Sequence, residues 1–345
     1  MKTEHLLIYR FSALGDVAML VPVVGALARQ YPALRITVLS RPFAKAFFEQ
    51  LAPNVNFMAA DPKKDYKGLI GLNHLYRRLS AKHFTAVADM HDVLRTKYLR
   101  WIFQLNGYRV EHINKHRAGK RKLSRKRNKV LQQQPTSFQN YADVLARLGY
   151  PVQLDFQSIF PDKKGDISLL PDSFQNKSAE ERWIGVAPFA AHQGKIYPIH
   201  LLTEALQLVS KQQPTTRFFF FCGGKKEHET VDHLCQQIPN AINASALLGG
   251  MSKELILMSH LDTMLSMDSG NMHLASMVGC RVVSIWGATH PMAGFLGWNQ
   301  SSDDVIQLPM DCRPCSIYGN KPCFKGNYPC LNNISPTIIA NKLME

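Results

Sequence analysis

No apolar run in the chain approaches the ~18 to 20 residues that a bilayer span needs, so it is not expected to cross a membrane. The three glycines of the dinucleotide fingerprint are missing after the first strand, and a nicotinamide cofactor is not indicated. Charged residues are too few, 19% against 46% hydrophobic, for a disordered chain. An even set of cysteines is also lacking. Seven thiols without an export signal argue against a secreted disulfide framework and point to a reducing cytoplasm. Val17 to Ala28 imitates a signal segment with its Ala26-Leu27-Ala28 end, but Asp16 borders it, Pro22 interrupts it, and a strand follows at Arg35 to Ser40.

Acid is missing from one stretch. Lys115 to Lys129 holds nine Lys or Arg and no Asp or Glu, in a protein of net charge +15. Such a run is expected to extend by self-repulsion and to seek a polyanion: nucleic acid, lipid headgroups or a phosphorylated substrate. Aromatic residues are absent from it too, which disfavours base stacking and favours a phosphate-bearing surface. A merely solvated loop is the plain alternative.

What is present is organised around Leu261 to Gly287. A strand ending at Asp268, a break at Ser269-Gly270-Asn271, helical spacing from Met272 to Val278 and a second strand from Val282 to Trp286 make one βαβ unit. The turn lies at the carboxyl edge of a parallel sheet, where the next helix presents unpaired N–H groups and the positive end of its dipole. Ser269 is expected to cap that helix, Gly270 to admit a ligand to the backbone, and Asp268 to orient the turn or a sugar hydroxyl. Asp268-Ser269-Gly270 as a plain turn and cap remains open, and His273 is either a packed histidine or a phosphate ligand.

The chain is long enough for two domains. Leu6 to Tyr9 is a strand, followed by a loop ending in Gly15-Asp16 and a helix in which Pro22 marks a start or a kink. Asp16 either caps this helix or faces a cleft. Ala86 to Met90 is a further strand that delivers Asp89, His91 and Asp92 to the same edge, and Leu94 to Leu105 is a basic, apolar helix that packs on its sheet or touches a membrane. Residues 1–160 form the first domain, 161–182 a linker, 183–334 a second αβ domain and 335–345 a terminal helix with a Ser335-Pro336 start. In the second domain Trp183 to Ala187 leads to a loop holding Lys195, and Arg217 to Cys222 ends at Gly223-Gly224. The fold class is α/β, two domains with parallel sheets and a cleft between them. Cys312, Cys315, Cys323 and Cys330 either hold a structural zinc or sit in a compact loop as free thiols.

Glycosyl transfer from a nucleotide sugar needs a cradle for the diphosphate leaving group and a base for the acceptor hydroxyl. A helix N-terminus with Lys195 meets the first need without a metal, and Asp16 meets the second. Gly15-Asp16-Val17, Lys195 with Pro198, Gly223-Gly224, Asp268 through Ala275 and Trp286-Gly287-Ala288-Thr289-His290-Pro291 together resemble the bacterial lipopolysaccharide heptosyltransferase family, glycosyltransferase family 9, over nearly the whole chain. The loop before the lysine departs from the family habit, with Ala190-Ala191 where hydroxyls are frequent and Tyr197-Pro198 where Trp-Pro is.

The resemblance implies a GT-B fold of two facing Rossmann-like domains and an inverting single displacement without metal or other cofactor. It implies Asp16 as general base, with Lys195, Glu227, Asp268, Ser269, Gly270, Asn271 and His273 on the donor, ADP-heptose. On the acceptor side, His91, Asp92 and Arg95, with Lys120, Arg121 and Lys122 of the basic run, are expected to meet a phosphorylated glycolipid and an anionic inner-membrane surface. A cytoplasmic, peripheral, monomeric enzyme that does not bind nucleic acid is expected. A related transferase with another nucleotide sugar, or a sugar-nucleotide epimerase, are the alternatives.

Overall fold

Short aliphatic runs bounded by turns become central parallel strands when both their faces are covered. In the computed structural model, which describes residues 4–345, β1 (His5–Tyr9), β2 (Arg35–Ser40), β3 (Val55–Ala59), β4 (Ala86–Asp89) and β5 (Arg109–His112) form such a sheet. Its order is β3-β2-β1-β4-β5, and every pairing is parallel. A second all-parallel sheet contains β6 (Trp183–Ala187), β7 (Arg217–Phe220), β8 (Ala241–Asn243), β9 (Thr263–Met267), β10 (Val282–Ile285) and β11 (Val305–Ile306) in the order β11-β10-β9-β6-β7-β8. β1, β6, β9 and β10 are buried at every position, the pattern of strands covered on both faces.

Two units result, one of residues up to Lys115 with Pro135–Phe160, the other of His116–Gln134 with Pro161–Glu345. In the first, Leu7, Tyr9, Leu39 and Val87 of the sheet pack on Leu72, Leu75, Leu99 and Phe103 of two crossover helices, Gly68–Ser80 and Leu94–Leu105. In the second, Ile184, Val186, Leu265, Met267 and Val283 pack on Leu206 and Val209 of helix Ile199–Gln212 and on Ile339 and Leu343 of the last helix, Pro336–Met344. Ser335 caps that helix through a hydroxyl that accepts from Thr337 N–H.

The basic run departs from expectation twice. Residues 116–134, read as part of the first domain, group with the second unit. They also fold back: Arg117–Leu123 is a helix that buries Leu123 and Lys120, and the Lys120 ammonium stands 4.1 Å from the centre of the Phe295 ring. Lys129 donates to the Cys312 and Pro314 carbonyls at 2.7 and 3.1 Å, and Gln134 N–H donates to the Met292 carbonyl. Repulsion between cations in water is only ~1 kcal/mol at contact distances, so these anchors outweigh it.

Candidate functional site

Each sheet has one place where the chain's crossovers change direction: between β1 and β4 in the first, between β6 and β9 in the second. Ligands of open parallel sheets bind outside the carboxyl ends of the strands at such points. Of the residues singled out from the sequence, Asp16, His91, Asp92 and Arg95 fall at the first and Lys195 and Asp268 to Asn271 at the second.

In the first unit β1 runs directly into Arg10, and the register pairs Tyr9 with Asp89. Asp16 lies in a short helix, Leu14–Ala18, and its Oδ2 accepts from Ala13 N–H at 3.1 Å, so it does cap that helix. The same oxygen is 2.6 Å from Nη2 of Arg10, a buried guanidinium that also donates to the Met90 carbonyl and lies over the Tyr141 ring. The Tyr141 hydroxyl donates to the Asp16 carbonyl at 3.0 Å. Burial holds Tyr141 in its neutral form, well above the ordinary phenol range. Asp16 keeps 30% of its side chain exposed, which leaves the carboxylate in reach of a substrate. Pro22 sits at the start of the separate helix Val21–Gln30.

Asp89, fully buried, shapes the loop after β4. Its Oδ1 accepts from the His91 and Asp92 N–H groups at 2.9 Å each, and Arg100 lies 3.3 Å from Oδ2. Asp92, at a positive φ, also pairs with Arg100 and Lys97. Burial, with Arg10 and Lys115 nearby, pushes His91 down to about 3, so near neutrality it is an uncharged imidazole, placed 3.3 Å from the Ser12 hydroxyl. Ser12, Arg41, Asp61, Lys63, His91 and Arg95 line a small cavity. Three of these carry positive charge, and Arg41 is partly neutralised by Asp61 at 3.1 Å.

In the second unit β9 ends at Met267 and delivers Asp268, while the loop after β6 brings Lys195 back across the edge. The Lys195 ammonium is 3.0 Å from Asp268 Oδ2, and Thr289, after β10, donates its hydroxyl to the same oxygen at 2.7 Å. Helix Gly270–Met277 starts beside them. Ser269 occupies the N-cap position but makes no side-chain cap bond, contrary to expectation. Its extended backbone aims the hydroxyl at Ser266, 3.3 Å away, which leaves the helix's first N–H groups for a ligand. His273 is buried in the first turn.

Other candidates sit apart from this cluster. Glu227, beyond β7, accepts from Gly223 N–H at 2.8 Å and closes its own turn. Lys120 is buried on Phe295, while Arg121 and Lys122 are exposed and belong to the second unit. Among the described residues no group of three or more His, Cys, Asp or Glu is placed to hold a metal ion. All four tail cysteines are free thiols, and burial pushes Cys330 up to about 11 and raises Cys315.

Sequence reasoning missed Arg10, Thr289 and Arg313. Arg313 is buried and donates to the Trp286, Gly287, Thr289 and Leu308 carbonyls and to the Gln307 side chain. It ties the tail to the loop that holds Thr289. Gly319, at φ +76°, lets the tail pass against Lys195: a Cβ there would stand 2.7 Å from Lys195 Cγ. Residue type and position after a strand mark Arg10 and Thr289; nothing local marks Arg313.

This arrangement can bind a phosphorylated group at one sheet edge and hold a carboxylate at the other. Comparison with known proteins gives the family. Residues 72–322 match the model of Glycosyltransferase family 9 (heptosyltransferase). The lipopolysaccharide core heptosyltransferase OpsX of Haemophilus influenzae is 22% identical over 296 residues, covering 84% of this chain and 80% of that protein. A glycosyltransferase family 9 structure from Veillonella parvula superposes with a TM-score of 0.72 at 18% identity, covering 100% of this chain and 98% of that one. E. coli ADP-heptose lps heptosyltransferase II gives 0.67 at 17% identity, covering 99% and 97%. The E. coli heptosyltransferase WaaC with ADP gives 0.64 at 16%, covering 88% and 93%. The two parallel sheets are those of the GT-B fold, and the chain belongs to glycosyltransferase family 9, the heptosyltransferases.

Proposed function

We propose that the protein transfers heptose from ADP-heptose to the inner core of lipopolysaccharide, with inversion at the anomeric carbon. The observation that carries this reading is the Lys195–Asp268–Thr289 cluster at the start of helix Gly270–Met277. Support comes from the ADP held by the WaaC structure and from the likeness to OpsX, a lipopolysaccharide core heptosyltransferase.

Lys195 and the N–H groups of Gly270 and Asn271 take the negative charge that grows on the β-phosphate as its bond to the anomeric carbon breaks. Asp268 holds Lys195 in place before the donor arrives. The acceptor hydroxyl attacks that carbon from the opposite face, and its proton passes to the Asp16 carboxylate. Arg10 fixes the orientation of this carboxylate by their 2.6 Å contact. The products are the heptosylated acceptor and ADP.

On the acceptor side, Arg41, Lys63 and Arg95 around the cavity suit the acidic groups of a phosphorylated glycolipid, and neutral His91 and Ser12 suit a sugar hydroxyl. Arg121 and Lys122 add exposed charge, whereas Lys120 serves the fold. No helix among the described residues is long and apolar enough to cross a membrane. We place the protein, as a monomer, at the cytoplasmic face of the inner membrane.

A thermal-shift screen of nucleoside diphosphates tests the donor: ADP should stabilise the protein more than UDP or GDP. Mass spectrometry of reactions with ADP-heptose should show a heptosylated glycolipid only when acceptor is present. Preference for uracil or guanine overturns the donor, and conversion of the donor without acceptor overturns transfer in favour of epimerisation.

A further inference from the structure

The crossover helices of the first unit carry apolar residues that the fold does not use. Helix Leu94–Leu105 buries Thr96, Leu99, Ile102 and Phe103 against the sheet and its neighbour, as an amphipathic helix should. Its opposite face is apolar as well. Leu94, Tyr98, Trp101 and Leu105 recur at three- and four-residue steps, and Leu94 is 86% exposed and Trp101 55%. Helix Gly68–Ser80, joined to it by the Tyr98 hydroxyl on Asn73 at 3.2 Å, begins with Leu69 and Ile70, the latter 75% exposed. Both helices are crossovers between parallel strands, so both begin at the sheet's carboxyl edge, and Leu69, Ile70 and Leu94 stand at that edge together.

The same segments are rich in cations. Residues 62–80 and 93–105 contain eight Lys or Arg and one acid, Asp65. Lys63, Lys64, Lys67 and Lys97 are exposed. Aliphatic tips and a half-exposed tryptophan on the same segments as exposed lysines are the chemistry of a surface that lies on an anionic bilayer: the apolar groups enter the acyl boundary and the ammonium groups meet headgroup phosphates. A second copy of the chain would oppose this charge with the same charge, and nucleic acid offers nothing for Leu69, Ile70 and Leu94 to enter.

We propose that the exposed faces of helices Gly68–Ser80 and Leu94–Leu105 dock the protein on an anionic membrane, in place of the 116–129 basic run to which charge alone points. Arg95, next to Leu94, lines the cavity assigned above to the acceptor, so this surface sets a lipid-anchored substrate beside its own pocket. The proposal rests on the membrane location proposed above and is separable from the transfer reaction, because docking needs no donor.

The test is co-sedimentation of the full chain with vesicles of phosphatidylcholine alone or with added phosphatidylglycerol, at low and high salt. Wild-type protein is expected to bind only the anionic vesicles, less at high salt. Tryptophan emission should shift to the blue on binding, and Trp101→Phe should remove that shift, since Trp183 and Trp286 are buried already and the half-buried Trp298 belongs to the second unit, outside these two helices. Ile70→Ser with Leu94→Ser should lower the bound fraction ~10-fold while the ADP-induced thermal shift is unchanged, which shows the variant folded. Three results overturn the proposal: no binding to anionic vesicles, undiminished binding by the double variant, or loss of binding on neutralising Arg121, Lys122 and Arg125 alone. Lipid-free self-association that the double variant abolishes also overturns it, and assigns the face to a second copy.

Discussion

The ammonium of Lys195 and the carboxylate of Asp268 meet at 3.0 Å beyond the ends of β6 and β9, the two strands that flank the crossover reversal of the second sheet. Lys195 keeps only 17% of its side chain exposed and Asp268 4%. The pair is held by packing as well as charge, so the lysine is positioned before any phosphate arrives.

Lys195→Ala should therefore lower kcat/KM for the donor by ~10²- to 10³-fold, with loss of the ADP-induced thermal shift. Initial-rate kinetics and the thermal-shift assay check this. A variant with wild-type kcat/KM would remove Lys195 from the donor site.

Asp16→Asn should bind ADP nearly as tightly as wild type and turn over ~10²-fold more slowly or worse, because the amide cannot accept the acceptor's proton. Initial rates at saturating donor measure the effect. Unchanged turnover would mean that the 2.6 Å contact with Arg10 serves the fold alone.

Arg313→Ala should destabilise the second unit by about 3 kcal/mol or more, since it leaves buried carbonyls without donors. Arg313→Lys keeps the charge but not the planar fork, and should raise the donor KM with a smaller loss of stability. Urea unfolding followed by donor titration separates the two effects. The mechanism runs from Arg313 to Thr289 and from Thr289 to Asp268, so a donor KM indifferent to both variants would break that chain.

His91 supplies a pH dependence. Its folded value, about 3, lies below the ordinary 6.5, so the unfolded chain binds the proton more readily between these values. Stability from this group is complete above pH ~6.5 and declines as pH falls toward 3. His290, pushed down to about 4 by burial and by Arg313 and Lys129, acts in the same direction. His91→Asn should flatten the fall in melting temperature between pH 7 and pH 5, read by scanning calorimetry. A slope equal to wild type would count against a buried neutral imidazole.

Legibility differed by element. β6, β9 and β10 were readable because apolar runs bounded by Gly or charged turns have few other uses, and the Ser335-Pro336 helix start was readable because capping is local. β3, β5 and β8 were not read. Val55–Ala59 and Arg109–His112 each carry a polar residue mid-strand, and Ala241–Asn243 is three residues long, so pairing with a neighbour decides them rather than their own pattern. Ser269 looked like a cap by composition. Its hydroxyl faces Ser266 instead, three residues back in β9, and residue type alone does not decide between that contact and a cap.

By itself the order of residues determined two αβ series, the acid at Asp16 and the Asp268-Ser269-Gly270 turn, since strand, turn and helix signals act within a few residues of one another. Tertiary structure decided the partners: Arg10 on Asp16, Thr289 and Lys195 on one oxygen of Asp268, and Arg313 beneath them. It also decided that the basic run folds onto the second unit, where Lys120 covers Phe295 and Lys129 meets backbone carbonyls. Charge counted along a chain is blind to such contacts, because burial and long-range hydrogen bonds join residues that sequence separates by more than a hundred positions.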